Sequence, residues 1–421
     1  MNSESAAAVP AGRKLVFLAL APFAVGYFFS YLFRAVNAVV EPYLVDELSL
    51  SATVLGLLTA SYFFAFALAQ LPMGIFLDRF GPRKVQVVLL STAAVGSMLF
   101  AVAGTAWALT VARALIGLGF AGGLMAGFKA VALWVRAERR AFANALVMSF
   151  GALGLLVSTE PTKILAEMIG WRDLFRVLAA GLGCAVLLIW FAVPENRPAG
   201  APQRFGEQVK GLGQILRSGV FWRIVPFTSL TGGVHVALQT LWAGPWLRDV
   251  AGLDSDGVAR MLLIMAIAFW IGIVASGAVA DWLTRRGINL LLVMSGYLVT
   301  FLVAQVALLF GATGFHMAAW CVFAMTGQCA VLAYPWLANH FGAERAGRAN
   351  TAANLMMFLT AFASQSFVGV IIDLFPASAG GGFAPEAYRA AIGLFLVLQL
   401  LSFVWFLAGR PWRRSEGESP A

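Results

Sequence analysis

Stretches of about 20 mostly apolar residues recur along this chain, and they constrain its fold more than any other feature. A run of this length crosses the hydrocarbon core of a bilayer as an α-helix, which satisfies its backbone polar groups within the segment. Only 12% of the 421 residues are charged, against about 25% in a typical soluble domain. The sequence therefore predicts an all-α membrane protein.

We identify twelve such runs, separated by brief polar clusters. Their approximate limits are 15–40, 52–77, 84–103, 106–133, 141–164, 173–193, 221–246, 258–281, 288–310, 316–339, 350–373 and 389–409. Each is interpreted as one transmembrane helix.

An internal repeat divides the twelve runs into two sets of six. The sequence Gly74-Ile-Phe-Leu-Asp-Arg-Phe-Gly-Pro-Arg-Lys84, expected to be a loop, has a weaker copy at 277–287, 203 residues later when Asp78 is aligned with Asp281. A second match relates 137–144 to 343–350, with an offset of 206. Parallel repeats of this kind predict two bundles, 1–194 and 221–421, joined by a polar linker at 195–220, with a path between them near the bilayer midplane.

The placement of the basic residues decides what the net charge of +9 means. If the N-terminus is cytoplasmic, the loops on that side hold 20 Lys and Arg, the opposite loops hold six, and three lie within spans. This bias predicts that both termini are cytoplasmic. It indicates a lipid bilayer as the partner and argues against nucleic acid. Arginine greatly outnumbers lysine, which is typical of a GC-rich bacterial genome. A bacterial cytoplasmic (inner) membrane is therefore expected.

Two of these motifs resemble the major facilitator superfamily, and the resemblance covers essentially the whole chain. Gly74, Asp78, Arg79, Gly81, Arg83 and Lys84 match its signature between helices 2 and 3, and 113–119 matches its helix 4 signature. The resemblance implies two pseudo-symmetric six-helix bundles and a gating role for the signature residues, with Asp281 and Arg285 as their counterparts. It also implies that Arg113 takes part in coupling or stabilises its helix.

Helix 1 resembles the organophosphate:phosphate antiporters and organic-anion symporters of that superfamily, in 26–34 and 42–45. The glycine-proline signature of drug antiporters is absent from 151–157. Helix 7 lacks the second arginine that the phosphate antiporters use. The resemblance therefore favours an organic anion over a drug or a phosphate ester.

Arg34 is the principal candidate for substrate binding. Tyr27, Tyr31 and Arg34 share one face of helix 1, together with Ala38 and Glu41, at spacings of three and four residues. A charge within a span is costly unless it faces a wet cavity or a partner, and a guanidinium binds carboxylates in a bidentate way. The alternative is a structural arginine paired with a carbonyl group or a buried acid.

Helix 7 carries a second stripe, which is expected to line the opposite wall before Pro245 disrupts the helix. Its members are Thr228, Thr231, His235, Gln239 and Trp242. His235 is a candidate for substrate or proton handling, and the alternative is a hydrogen-bonded structural histidine. Lys129 is a candidate second cation, and it could equally extend toward the membrane surface.

A carboxylate at a helix end can meet the positive N-terminus of a facing helix, and the resemblance implies that for Asp78 this is helix 11, which starts near Asn350. Such a contact is expected to latch the cytoplasmic side shut. The chain carries no nucleotide-binding loop and no metal-ligand spacing, so no cofactor and no enzymatic activity are expected. We expect a monomeric secondary transporter of a small organic anion, in particular a carboxylate, coupled to protons or working by exchange. The alternatives are transport of a neutral or zwitterionic solute (a sugar, a peptide or a siderophore-like compound) and a sensor that binds solute without moving it.

The topology can be tested with single cysteines placed at Gly380 and in the 195–220 linker. A membrane-impermeant thiol reagent added to intact cells should label Gly380→Cys and spare the linker cysteine, because only the first is expected to face outward. The reverse labelling pattern would show that the orientation is wrong.

Overall fold

The computed structural model describes residues 13–135, 140–195, 205–310, 315–376 and 382–409. All regular structure in these ranges is helical, and the described part of the chain contains no strand. The prediction of an all-α protein is confirmed.

The helices before the linker are α1 (Arg13–Ala35), α2 (Asn37–Leu48), α3 (Ala52–Val102), α4 (Ala106–Phe120), α5 (Gly123–Trp134), α6 (Arg140–Val157) and α7 (Glu160–Ala192). They are followed by α8 (Phe205–Leu216), α9 (Gly219–Ala237), a π-helical turn (Leu238–Trp242) and α10 (Ala243–Asp249). The remaining elements are α11 (Ser255–Arg285), α12 (Leu290–Leu309), α13 (His316–Gly327), a 3₁₀ turn (Gln328–Leu332), α14 (Ala333–Phe341), α15 (Ala343–Asp373) and α16 (Pro385–Ala408).

Several helices combine or divide the predicted spans. Within the described ranges, eight helical segments are long and apolar enough to cross a membrane, and α1 with α2 forms a ninth, bent by 45°. The 51 residues of α3 would extend about 76 Å at 1.5 Å per residue, more than two hydrocarbon thicknesses. It is broken at Gly81, and α7 is broken at Gly170. These bounds are consistent with twelve crossings, and that number stays a prediction.

The prediction of a loop over 74–84 is wrong for every residue except Gly81. The chain is helical up to Gly81 and again after it, and only this residue leaves the helical region, with φ 76° and ψ 164°. A residue without a Cβ can make the whole turn alone in this conformation. Gly287, 206 residues later, also has a positive φ of 84°, which agrees with the repeat offset found between 137–144 and 343–350.

Two large clusters of buried hydrophobic side chains form the core. One is drawn mostly from residues before 194 and the other mostly from residues after 215. The bundle boundaries stay a prediction, and the 195–220 segment contains a helix, α8, beside its polar part. The helices α3 and α15 pack across the boundary between the halves, where Phe63 and Phe66 contact Phe358.

Gly81→Ala should lower the thermal unfolding midpoint of the purified protein in detergent. The φ and ψ of Gly81 are accessible almost only to glycine, and a Cβ there costs about 1 to 3 kcal/mol. Gly296→Ala is the matched control, because Gly296 lies inside α12 with no atom within 4 Å of an added Cβ. Equal midpoints for the two variants would contradict the strain argument.

Candidate functional site

The first membrane span bends between Ala35 and Asn37, directly after Arg34. In an unbroken helix the Phe33 carbonyl oxygen would accept from the Asn37 N–H. Here Arg113 Nη1 donates to that oxygen at 2.8 Å, and the Asn37 side chain donates to Thr59 Oγ1 at 2.9 Å. Side chains of α3 and α4 thus hold the bend that positions Arg34.

Aromatic rings surround the Arg34 guanidinium. Its central carbon lies 4.6 Å from the ring centre of Tyr31 and 5.4 Å from those of Phe66 and Phe358. The residue is half-buried, its Nε has no hydrogen-bond partner, and no described carboxylate forms an ion pair with it. Because Phe358 belongs to α15, this uncompensated cation lies between the two halves.

Tyr27 and Tyr31 accompany Arg34 as the helix 1 pattern predicts. Their rings meet edge to face at 5.2 Å between centres. Tyr31 also lies 6.4 Å from Phe269 of α11, in the other half. The structure therefore brings the three predicted helix 1 residues together at the boundary between the halves.

Arg113 lies behind this site and is fully buried. Its guanidinium carbon is 5.2 Å from the centre of the Tyr62 ring. Its Nε and Nη2 have no partner, and no described acid pairs with it. Its observed contact is with the bend of the first span, and the two roles that the resemblance implies, coupling or stabilising its own helix, stay predictions.

His235 does not reach Arg34. Its ring is stacked on Phe269 at 5.8 Å and is enclosed by Phe301 and Phe323. A Cβ on Gly327 would collide with it, and neither ring nitrogen has a hydrogen-bond partner in the described chain. Phe269 separates His235 from Tyr31, so the histidine lies inside the second bundle.

Helix 7, the predicted span at 221–246, consists of α9, the π-helical turn and α10. The prediction of a continuous stripe along it is wrong, because the π-helical turn divides it. The Ala243 N–H bonds to the Leu238 carbonyl, five residues back, so the face of the helix rotates before Pro245. A wider turn also accommodates the proline, which clashes with a carbonyl four residues back in an α-helix. The expected disruption by Pro245 thus appears as this turn, and α10 continues through the proline.

At the end of the π-helical turn, Trp242 points away from the side of helix 7 that His235 occupies. It is fully buried, and its indole N–H donates to the Gln365 carbonyl oxygen at 3.2 Å. It packs where α15 meets Gly56 of α3. Gln239 lies within the turn, and it is 8% exposed.

The expected contact between Asp78 and helix 11, which is the predicted span at 350–373 and lies within α15, is not among the described contacts. Asp78 instead forms an ion pair with Lys129 of α5, inside the first half. Lys129 is therefore a partner of the gating motif in this structure and lies apart from the rings around Arg34. The latch stays a prediction for a state in which this end is closed.

The described contacts of the other gating candidates do not join the two halves either. Gly74 lies within α3. Arg83 donates to the Trp190 carbonyl oxygen at 2.5 Å, and Lys84 pairs with Glu195 at 2.5 Å. Arg79 lies over the Phe80 ring, and Asp281 and Arg285 pair along α11 at 2.7 Å.

Ionic contacts between the halves lie at the opposite end, which we call the ionic end. It is defined by Glu41, Lys163, Arg248, Asp256 and Asp373. Arg248 Nη1 bonds to Glu41 Oε2 at 3.0 Å, and Lys163 pairs with Asp256. Asp373, at the end of α15, accepts from the backbone N–H groups of Ala52 and Thr53 at 3.0 and 2.8 Å.

Sequence reasoning missed the role of Glu41 and Arg248. Glu41 shares the predicted face of helix 1, and Arg248 is one of the six basic residues predicted for the opposite loops. The Glu41 side chain is 2% exposed and its Oε1 has no partner. Both residues line two cavities of about 580 and 230 Å³. The presence of Glu41 within a predicted span could have indicated this pair, because a carboxylate in a span needs a cation from another segment.

A cofactor site does not emerge from this geometry. Among the described residues, no three His, Cys, Asp or Glu side chains come together as metal ligands. The arrangement consists of one uncompensated cation between two helical bundles and charged contacts at one end.

Comparison with known families gives the same architecture. The model of the Major Facilitator Superfamily matches residues 23–365. The chain belongs to this superfamily. Its helical arrangement is similar to that of a bacterial homolog of the human lysosomal transporter Spinster, in an inward-facing and occupied conformation. That likeness has a TM-score of 0.76 at 19% identity and covers 98% of this chain and 100% of the other.

Two curated relatives are named for organic anions. The chain is 26% identical over 279 residues to the probable sulfoacetate transporter SauU of Cupriavidus necator, covering 63% of this chain and 64% of that protein. It is 24% identical over 283 residues to the D-galactonate transporter of Escherichia coli, covering 62% and 66%. The matches thus span slightly less than two thirds of the relatives' length.

The ionic end can be probed by thiol labelling of Val258→Cys, which lies in the smaller cavity, after replacement of the three native cysteines. Glu41→Gln should speed labelling roughly tenfold, because a charge-assisted hydrogen bond between the halves is lost. Glu386→Gln is the control, since its partner Arg389 is on the same helix. Equal rates in both variants would exclude a closing role for Glu41.

Proposed function

We propose that this protein is a secondary active transporter of a small organic anion, with a carboxylate bound by Arg34. The observation that carries the proposal is the half-buried guanidinium between the two halves, with aromatic rings and no described carboxylate around it. A cation is costly in such a place unless an anion compensates it. The substrate would supply that anion.

The position of Arg34 suits a carrier that works by alternating access. Its cage takes rings from both halves, so a bound anion would contact both and respond to their relative movement. The described ion pairs that cross the boundary all lie at the ionic end. If the Asp78 end is cytoplasmic, as the basic residues predict, this is an inward-facing arrangement.

The relatives support the chemical class of the substrate. Sulfoacetate and D-galactonate, which two relatives are named for, are both anions. We further propose proton coupling or exchange in a bacterial inner membrane.

Substitution of Arg34 tests the proposal. A thermal-shift screen against carboxylates, phosphate esters, sugars and peptides identifies a ligand, since binding to the folded state raises its apparent stability. Arg34→Lys should then weaken binding about tenfold or more, because lysine keeps the charge but lacks the planar fork. Arg34→Gln should abolish binding and proteoliposome uptake.

The matched control is Arg286→Gln, which removes an exposed guanidinium lying 3.8 Å from the Trp282 ring centre. It should leave affinity unchanged. If Arg34→Gln binds an anion as tightly as the wild type, Arg34 is structural and the proposal fails. Binding of a neutral sugar that is insensitive to Arg34 would favour the alternative solute class, and binding without uptake would favour a sensor.

A role for His235 in proton handling has its own test. If His235 carries the coupling proton, His235→Gln should preserve ligand affinity and flatten the pH dependence of uptake. Its aromatic enclosure gives a competing expectation, in which the variant is less stable and its pH profile keeps its shape. The pH profile of uptake, measured beside the unfolding midpoint, distinguishes the two.

A further inference from the structure

We propose that the Arg34 site prefers a monocarboxylate with a flat, apolar body over a polyhydroxylated acid. This inference rests on the proposed function, since it concerns the anion bound by Arg34. It comes from what surrounds the guanidinium rather than from the guanidinium itself.

The walls of the site are rings from both halves. Tyr31, Phe66 and Phe358 lie over the guanidinium, and Phe66 and Phe358 meet each other at 4.4 Å between ring centres. Phe269 continues the wall beyond Tyr31. A planar ligand can replace these ring contacts with stacking of its own while its carboxylate takes the guanidinium.

Hydroxyl groups of a sugar acid would find few partners beside these rings. Each would lose its water, and burying a hydroxyl without a compensating hydrogen bond is unfavourable. Phe66 and Phe358 offer no hydrogen bond, and the Tyr62 hydroxyl already donates to the Ser30 carbonyl oxygen at 3.3 Å. The hydroxyls of Tyr27 and Tyr31, on this face of α1, interact with each other.

The charge of the site also sets a limit on the ligand. The other two basic residues that lie within spans are engaged elsewhere: Arg113 with the Phe33 carbonyl and Lys129 with Asp78. One guanidinium therefore faces the ligand. A single carboxylate balances it, whereas a second carboxylate would enter a ring-lined space without a counter-charge.

The test compares benzoate with gluconate, two monocarboxylates of equal charge, by equilibrium binding to the purified full chain. Benzoate should bind at least tenfold more tightly, and Arg34→Gln should abolish its binding. Phe66→Leu and Phe358→Leu keep apolar side chains but remove the flat surface, so each should weaken benzoate severalfold and by a larger factor than gluconate.

Phe362→Leu is the matched control, because Phe362 pairs with Phe64 across the same two helices at 5.1 Å, away from the described contacts of Arg34. It should not alter benzoate affinity, and unfolding midpoints establish that all variants are folded. Gluconate binding that equals or exceeds benzoate binding and depends on Arg34 would overturn the preference while leaving the proposed function standing. Absence of benzoate binding would also overturn it, and anion binding insensitive to Arg34→Gln would remove the proposed function itself.

Discussion

The hydrogen bond from Arg113 to the Phe33 carbonyl oxygen is the interaction on which the candidate site depends. It occupies a backbone oxygen beside the 45° bend of the first span, in a medium where an unsatisfied carbonyl is costly. The bend directs α1 and α2 differently, so Arg34 lies among rings at the boundary while Glu41 reaches the ionic end. One buried arginine thereby positions another for which the described part of the chain supplies no counter-ion.

The two ends of the molecule differ in what their charges do. At the ionic end, the Glu41–Arg248 and Lys163–Asp256 pairs join one half to the other. At the Asp78 end, no described pair joins the two halves: two pairs each stay within one half, and Lys84 pairs with Glu195 at the start of the linker. Ion pairs thus connect the two halves at the ionic end, whereas at the Asp78 end they stabilise each half by itself. Alternating access requires such a difference between the two ends.

Short-range pattern located some site residues and misplaced others, for identifiable reasons. Tyr27, Tyr31 and Arg34 lie within one unbroken helix, so their spacing of three and four residues was enough to bring them together. The helix 7 stripe failed because a π-helical turn before Pro245 rotates the helix. The sequence left Lys129 open between a second cation for the substrate and a side chain that extends toward the membrane surface, and no local periodicity reveals its pairing with Asp78, 51 residues away in sequence.

The sequence by itself determined that the chain lies in a lipid bilayer, that it is helical, that it contains an internal repeat and which family it resembles. The length of the apolar runs and the short motifs record these properties directly. It also showed that Arg34 is an arginine deep in an apolar span. Only the tertiary structure decided that this arginine has no acid partner among the described residues, that Phe66 and Phe358 enclose it from opposite halves, and that Glu41 meets Arg248. These are contacts between residues far apart in the chain, and they depend on how helices bend and pack rather than on the period of any one helix.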